Sequence, residues 1–220
     1  MSAIRVAVAD DQELIRSALR MMVDSQDDLE WVGEAADGHA VLALVRSRRV
    51  DVVLMDLRMP NLDGIAATAT ITAEQPGCRV IALTTFDLDE YAFPALRAGA
   101  SGFLLKDARS EDIVEAIRTV HAGHGVIAPS TTRRLIEHVV ASPARGDRAD
   151  TVRAVLTPRE LDILLHIATG ATNREIADRL HLAEATIKTH VGHVLAKLGL
   201  RDRVQAVILA YQSGLAHPPG

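Results

Sequence analysis

The amino-acid sequence predicts an α/β domain with a five-stranded, doubly wound parallel sheet, followed by a small all-α domain that contains a helix-turn-helix. Short apolar stretches alternate with helix-periodic stretches through the first half of the chain, a pattern typical of parallel sheets with helices on both faces. From Thr157 to Gly214 only helical patterns remain. Between them, residues 141–150 (ASPARGDRAD) are small and polar, as in linkers. We therefore assign 1–123 to a first domain, 124–152 to a linker with a short helix, and 153–217 to a second domain.

Five strands and five helices account for the first domain. The predicted strands are apolar and rich in β-branched residues, and they span Ile4–Ala9, Trp31–Ala36, Val52–Met55, Val80–Thr84 and Gly102–Leu105. The first helix is predicted from apolar residues at helical spacing between Leu14 and Met22. The other four are predicted at His39–Arg48, Ile65–Glu74, Glu90–Ala98 and Ser110–Ala122. Because proline is tolerated in the first turn of a helix, Pro94 predicts a late start for the fourth helix, near Tyr91–Phe93.

The rest of the chain is predicted to be helical. A short helix at Pro129–Val140 is followed by helices at Pro158–Ala168, Asn173–Leu180, Ala183–Leu198 and Asp202–Gln212. Thr157 and Glu160 match a capping box for the second of these five, and Asn173 is placed to cap the third. The turn at His181–Ala183 is so short that the helices on either side of it form a helix-turn-helix. The second helix of such a pair can enter a DNA major groove.

Composition and charge exclude several classes of protein. Apolar residues make up 48% of the 220 and charged residues 24%, which excludes a wholly disordered or collagen-like chain. The single cysteine, Cys78, cannot form an internal disulfide, which indicates a reducing compartment. Acidic residues near the N-terminus do not fit a secretory signal, and no apolar stretch is long enough for a membrane span, so we expect a cytoplasmic protein with no membrane partner. The charge is −8 over residues 1–120, +1 over 121–150 and +2 over 151–220, which suggests different partners for the two domains.

Chemically active side chains follow four of the predicted strands, at the edge where open parallel α/β sheets bind ligands. They are Asp10, Asp11, Asp56, Thr84 and Lys106. Converging carboxylates repel each other unless a divalent cation joins them, and Mg²⁺ prefers such oxygen ligands together with phosphate. Asp56 directly follows the central strand and is the best candidate for a nucleophile that accepts a phosphoryl group, with Lys106 and Thr84 placed to hold phosphoryl oxygens. Taken singly, each acid is better explained as a helix cap or a surface charge, and it is the complete set that favours a site.

The motifs VADDQ, VVLMDLRMPNLDG, VIALTTFD and AGASGFLLKD resemble the receiver domain of two-component response regulators, over about residues 4–122. The resemblance implies a flavodoxin-like fold, phosphorylation of Asp56 by a sensor histidine kinase, and a Mg²⁺ site formed by Asp10, Asp11, Asp56 and the backbone carbonyl of Arg58. It also implies that Lys106 binds phosphate, that Thr84 is a switch hydroxyl and that Phe103 is an aromatic switch residue. Phe103 is equally explained as core filling, because an apolar residue on a buried strand needs no other reason.

The helix that follows the turn has separate apolar and polar faces. An inward stripe is predicted from Ile187, Val191, Val194, Leu195 and Leu198. The stretch from LTPREL to GLRDR resembles the DNA-binding domain of the LuxR/NarL/FixJ regulators, although Gly192 replaces a residue that contacts bases in several relatives. We expect contacts to double-stranded DNA from Thr172, Asn173, Thr186, Lys188, Thr189, His193, Lys197, Arg201 and Arg203. A three-helix bundle that binds another protein is the alternative.

The final helix carries more apolar side chains than a capping helix needs, and we expect some of them to remain exposed. Since this helix forms a dimer seam in the LuxR/NarL/FixJ regulators, the resemblance implies a homodimer through Val204, Val207, Ile208 and Tyr211.

Together these features predict a response regulator, a transcription factor controlled by Mg²⁺-dependent phosphorylation and not a metabolic enzyme. One alternative is a phosphohydrolase with an aspartyl nucleophile. Such enzymes place a second acid two residues after the nucleophile, and the presence of Arg58 at that position argues against this alternative. The other is a regulator or adaptor of the same fold that acts without phosphorylation.

Overall fold

A computed structural model of the protein describes residues 3–84, 88–123, 126–127 and 147–216. The chain forms two compact units, Met1–Ala128 and Pro129–Gly220. The short helix predicted at Pro129–Val140 lies outside the described residues. Among the described helices, none combines the length and apolar character that a membrane crossing requires.

The first unit is built on a parallel sheet with the strand order β2-β1-β3-β4-β5-β6. The strands are β1 (Ile4–Ala9), β2 (Leu29–Ala35), β3 (Val52–Asp56), β4 (Arg79–Thr84), β5 (Gly102–Leu105) and β6 (Val126–Ile127). The first five confirm the predicted strands to within two residues at each end. β6 was not predicted, because two residues are too few to show a period. Since β1 and β3 lie side by side in the sheet, residues just beyond their carboxyl ends meet at one edge.

Five helices cover the two faces of this sheet: α1 (Glu13–Asp24), α2 (Gly38–Ser47), α3 (Gly64–Glu74), α4 (Leu88–Arg97) and α5 (Ser110–His121). One face of the central strands packs against α1 and α5, through side chains such as Val23 and Ile117. The other face packs against α2 and α3, through side chains such as Val41 and Ile71. The doubly wound architecture predicted from the alternating pattern is therefore confirmed.

The predicted late start of α4 is wrong. α4 begins at Leu88, so Pro94 lies inside the helix at the seventh position. Proline has no N–H to donate to the preceding turn, and this interior position costs about 3 kcal/mol. Next to it, Ala95 and Leu96 are fully buried, and the apolar contacts of that burial offset the lost hydrogen bond. Tertiary packing thus decides where this helix begins.

Over residues 147–216, the part of the second unit that the structure describes, the elements are helices: α6 (Asp147–Val155), α7 (Pro158–Ala168), α8 (Asn173–Leu180), α9 (Glu184–Leu198) and α10 (Arg203–Gln212). The last four confirm the predicted helices to within one residue. α6 includes residues 147–152, which were assigned to the end of the linker, whereas the short helix of the linker was predicted at Pro129–Val140. Val152 of α6 and Leu156, which directly follows the helix, are both buried, and their burial stabilises a helix whose other residues are mostly small or polar.

Two capping boxes begin α7 and α8. Thr157 and Glu160 form the predicted box at α7. At α8 the predicted cap, Asn173, is wrong by one residue: Thr172 is the cap and forms a second box with Glu175. The α8 helix ends at Leu180, and the next residue, His181, caps it in the left-handed conformation with φ 54° and ψ 46°. This residue makes the short turn into α9, so the predicted helix-turn-helix is confirmed.

Candidate functional site

The three predicted acids meet at the carboxyl edge of the sheet. Asp56 ends β3, while Asp10 and Asp11 follow the neighbouring strand β1, and one carboxylate oxygen of each lies within 4.8 Å of the others. A cleft of about 300 Å³ opens above them, lined by Asp11, Asp56 and Lys106 together with Gln12 and Arg58. Asp10 and Asp56 are buried, whereas Asp11 is exposed. The strand order of the sheet therefore brings acids from two separate parts of the sequence together in one cleft.

Lys106 joins the two buried acids. Its Nζ lies 2.6 Å from Asp10 Oδ2 and 3.0 Å from Asp56 Oδ2, and its side chain is only 5% exposed. The backbone N–H of Lys106 donates to the carbonyl of Thr84, at 2.8 Å, so β4 holds the lysine at this edge. An ammonium placed between two carboxylates neutralises part of their charge, and the same group is available to an anion that enters the cleft.

Burial raises the pKa of Asp56, and the hydrogen bond and positive charge of Lys106 oppose that rise. The backbone N–H of Arg58 donates to Asp56 Oδ1 at 3.3 Å, and this bond also favours the ionised form. Asp56 is thus a partly desolvated carboxyl group that lines the cleft beside a cation, and this is the position that a carboxylate nucleophile requires.

The backbone around the cleft is closely packed. Gly64, the first residue of α3, donates its N–H to the carbonyl of Leu57 at 3.0 Å. A Cβ at this position would lie only 2.0 Å from the carbonyl oxygen of Asp56. A residue without a side chain is therefore required where α3 begins beside the candidate nucleophile.

The two predicted switch residues are buried in the first unit. Thr84 is 3% exposed at the end of β4, one position beyond Leu83, which pairs with Asp56. Phe103 is fully buried in the middle of β5, opposite Ala82. Phe103 therefore contributes to the core, whatever further role it has.

The donor atoms of the cleft fit a hard divalent cation. Three carboxylates offer oxygens close to one another, one of them from the exposed Asp11. A cation would relieve their mutual repulsion, and oxygen-only ligands with room for water favour Mg²⁺ over softer metals.

The recognition face expected on α9 is exposed in the second unit. Thr186, Lys188, Thr189 and His193 are all exposed, as is Gly192. On the opposite side, Ile187, Val191 and Val194 are buried, which confirms three of the five predicted inward residues. Leu195 and Leu198 are half-buried. α9 thus presents a polar face to solvent beside an apolar face that packs in the domain.

Lys197 was predicted to contact DNA phosphate, but it is engaged within the domain. Its Nζ lies 2.7 Å from Glu160 Oε2 in the capping box of α7. The hydrogen bond from Lys197 and the backbone N–H of Thr157 lower the pKa of Glu160 to about 2. The ion pair joins α9 to α7, so Lys197 has a structural partner that competes with phosphate.

Arg203 is also engaged, at the start of α10. Its guanidinium donates to the carbonyl of Ala171 and, at 3.1 Å, to Asn173 Oδ1. Burial lowers the pKa of Arg203 to about 10. Two predicted DNA contacts, Arg203 and Asn173, therefore bond to each other. Arg201 is half-buried, and the hydroxyl of Thr172 is used in its capping box.

Two exposed cations on α8 were not named from the sequence. Arg174 and Arg179 are exposed, whereas Ile176 and Ala177 on the same helix are buried. The positions of these apolar residues in NREIADRL were sufficient to predict that both arginines face solvent. The first helix of a helix-turn-helix crosses the DNA backbone, where such cations bind phosphate.

The expectation that the last helix exposes an apolar seam is wrong. The side chains expected in that seam are each at most 5% exposed: Val204, Val207, Ile208 and Tyr211. The hydroxyl of Tyr211 donates to the carbonyl of Ala168 at 3.2 Å. These four apolar side chains of α10 are buried within the chain, and their role in a dimer stays a prediction.

The two domains match two known protein families. The family described as the response regulator receiver domain matches residues 6–118, and the family described as bacterial regulatory proteins, luxR family, matches residues 154–210. The chain therefore belongs to the two-component response regulators, in the group that joins a receiver domain to a LuxR-type DNA-binding domain. It is a two-component transcription regulator.

Several bacterial regulators are similar to this protein over nearly the whole chain. The uncharacterized transcriptional regulatory protein YxjL of Bacillus subtilis is 40% identical over 212 residues, which cover 96% of this chain and 97% of that protein. The response regulator protein VraR of Staphylococcus aureus is 38% identical over 212 residues, covering 96% and 98%. Among solved structures, the response regulator ChrA of a heme-sensing two-component system has 35% identity and a TM-score of 0.54, covering 98% of this chain and 100% of that one.

Proposed function

We propose that a sensor histidine kinase phosphorylates Asp56 when Mg²⁺ is bound in the cleft, and that this phosphorylation controls DNA binding by the second unit. The observation that carries the proposal is the position of Lys106, whose Nζ lies 2.6 Å from Asp10 and 3.0 Å from Asp56. A buried cation beside a desolvated carboxylate provides both a nucleophile and a group that holds phosphoryl oxygens.

In the proposed transfer, a carboxylate oxygen of Asp56 attacks the phosphorus of a phosphohistidine on the kinase. The new O–P bond forms as the N–P bond breaks, and the histidine leaves with the bonding electron pair. Lys106 then turns from its carboxylate partners towards the phosphoryl oxygens. Asp10, Asp11, Asp56 and the carbonyl of Arg58 would hold Mg²⁺, which supplies charge neutralisation for the phosphoryl group.

The phosphoryl group adds a charge of about −1.5 to −2 beside the end of β4. We expect the hydroxyl of Thr84 to be drawn towards it, and Phe103 to change its packing, so that the surface of α4, β5 and α5 shifts between two arrangements. Moving a two-state equilibrium from 1:99 to 99:1 requires about 5.5 kcal/mol of differential stabilisation. The result would be release of the second unit, formation of a homodimer, or both.

For the output, we propose that α9 enters the major groove of double-stranded DNA. Lys188 and Thr189 would contact base edges, and the exposure of both side chains, together with that of Thr186 and His193, supports this role. Arg174 and Arg179 of α8 are proposed to bind the phosphate backbone. A protein with these roles acts in the cytoplasm and not as a metabolic enzyme.

Phosphorylation is tested with acetyl phosphate and Mg²⁺ on the full-length chain, with the product followed by intact-mass spectrometry. We expect one added phosphoryl group on the parent and none on Asp56→Asn. Asp107→Asn is a matched control, because Asp107 is an exposed acid next to Lys106 and should leave labelling unchanged. Labelling of Asp56→Asn at the parent rate would refute Asp56 as the acceptor.

To test whether phosphorylation controls DNA binding, a duplex that binds the protein is selected from a random-sequence library. The affinity of the protein for this duplex is then measured with and without beryllofluoride. We expect tighter binding, or a shift from monomer to dimer, when beryllofluoride occupies the cleft. If neither affinity nor oligomeric state changes, phosphorylation does not control this regulator, and the alternative that acts without phosphorylation is correct.

The phosphohydrolase alternative has less support. Arg58 stands two residues after Asp56, and its guanidinium lies over the ring of Tyr91, at 5.8 Å from the centroid. A guanidinium stays protonated near neutral pH, so it does not serve as the general acid that such an enzyme needs. Absence of sustained phosphate release from acetyl phosphate and phosphate monoesters would dismiss this alternative.

A further inference from the structure

We infer that Arg16 is a positioning residue for the proposed metal site, and this inference rests on the function proposed above. Arg16 lies in the second turn of α1, yet its side chain is only 13% exposed. Its Nη1 donates to the carbonyl oxygen of Asp10 at 2.9 Å, and its Nε donates to Glu34 Oε1 of β2 at 3.1 Å. The guanidinium therefore bridges a strand of the sheet and the loop that carries the two metal-binding acids.

The carbonyl that Arg16 holds belongs to the peptide bond between Asp10 and Asp11. β1 ends at Ala9, so this carbonyl lies beyond the strand. The N–H of Asp10 donates to the carbonyl of Ala35 at 3.0 Å. These two hydrogen bonds hold the peptide units on both sides of Asp10. Because a peptide unit is planar, fixing the carbonyl of Asp10 also fixes the direction in which the chain continues to Asp11. Arg16 thus acts on the exposed acid through the backbone, without touching the cation.

The charge of Arg16 has the opposite effect on metal binding. A guanidinium that contacts the backbone carbonyl of Asp10 adds positive charge beside the site and repels a divalent cation there, and pairing with Glu34 offsets only part of that repulsion. If charge were the main influence of Arg16 on the cleft, its removal would tighten Mg²⁺ binding. If positioning dominates, its removal weakens Mg²⁺ binding, so the sign of the change separates the two roles.

The test is isothermal titration of the full-length chain with MgCl₂. Residues that orient metal ligands typically change affinity by about 10- to 100-fold when they are replaced, and we expect Arg16→Gln to weaken Mg²⁺ binding by about tenfold or more. Arg16→Lys keeps the charge and its repulsion but not the planar fork that bridges Asp10 and Glu34, so it should also bind Mg²⁺ more weakly than the parent. Arg20→Gln is the matched control: it removes the same charge one turn further along α1, where Arg20 pairs with Asp24, and should change affinity by less than about twofold.

A kinetic measurement separates positioning from general damage to the fold. With acetyl phosphate as donor, we expect Arg16→Gln to raise the half-saturating Mg²⁺ concentration while the rate at saturating Mg²⁺ stays near that of the parent. Arg16→Gln that binds Mg²⁺ as tightly as the parent, or more tightly, would overturn the inference. So would a lower maximal rate with unchanged Mg²⁺ dependence. If the parent itself binds no Mg²⁺, the proposed function fails, whatever the variants do.

Discussion

Replacing Gly64 by alanine should disrupt the candidate phospho-acceptor site more than any change of similar size elsewhere in the first unit. The added Cβ would lie 2.0 Å from the carbonyl oxygen of Asp56 and 2.9 Å from Leu57 Cα, whereas real Cβ atoms stay at least 3.0 Å from such atoms. The distance from the carbonyl oxygen must therefore grow by at least about 1 Å. Both contacting atoms belong to the backbone, so a side-chain rotation cannot provide the space.

A forced backbone shift of this size should cost about 3 kcal/mol or more of unfolding free energy, at the upper end of overpacking in a well-packed site. It also displaces Asp56, and a misplacement of about 1 Å in a reacting group can lower a rate by about 100-fold. Trp31, the one tryptophan of the chain, lies in the first unit. Urea unfolding followed by its fluorescence therefore measures the stability of this unit, and labelling by acetyl phosphate measures the site.

Gly77→Ala provides the matched control. Nothing lies within 4 Å of a Cβ placed at Gly77, and its φ is outside the left-handed region. This variant should be as stable as the parent or more stable by about 0.4–1 kcal/mol, because alanine restricts the unfolded chain. If Gly64→Ala unfolds at the parent urea concentration and is labelled at the parent rate, the close approach described at Gly64 is not a constraint on this protein.

The second unit gives further predictions. Lys197→Ala should lower the melting temperature measured by circular dichroism, because it leaves the Glu160 carboxylate without its cation; an unchanged melting temperature would contradict that role. The pKa of Glu160 is lowered from 4.5 to about 2, so the ionised carboxylate stabilises the fold fully above about pH 4.5, and this stabilisation disappears as the pH falls through about 2. The melting temperature of the parent should therefore fall over this pH range, and that of Lys197→Ala should fall less. Gly192→Ala should raise unfolding free energy by about 1 kcal/mol, since the space around Gly192 is open within α9; destabilisation in urea would count against this. Lys188→Ala should reduce the slope of log affinity against log salt by about 0.9 if it contacts one phosphate, and an unchanged slope would exclude that contact.

The first unit illustrates how far periodicity alone can predict a fold. The alternation of apolar strands with amphipathic helices predicted the five main strands and their parallel arrangement, because a continuous apolar run indicates a strand covered on both faces and a helical period indicates a helix with one buried face. It failed at α4, where the local preference of Pro94 conflicts with burial of Ala95 and Leu96. Such conflicts are decided by the neighbours a residue packs against, and those neighbours are distant in the chain.

In the second unit, the sequence likewise predicted which charged residues are exposed but not which of them form ion pairs or hydrogen bonds within the fold. The sequence correctly predicted that Lys188 and its neighbours on α9 face solvent, since exposure follows from helical period. It did not predict that Lys197 pairs with Glu160 or that Arg203 bonds to the carbonyl of Ala171. Whether a cation is free for phosphate depends on which acceptors the fold brings within about 3 Å, and sequence spacing carries no such information.

The sequence by itself determined the two domains, the helix-turn-helix and the identity of the acids and the lysine that follow the strands, because these depend on local pattern and residue chemistry. Only the tertiary structure decided that Lys106 lies between Asp10 and Asp56, and that Arg16 holds the loop of the acids. These contacts join residues from different strands and helices, so their distances depend on how the sheet is ordered and on how tightly its layers pack.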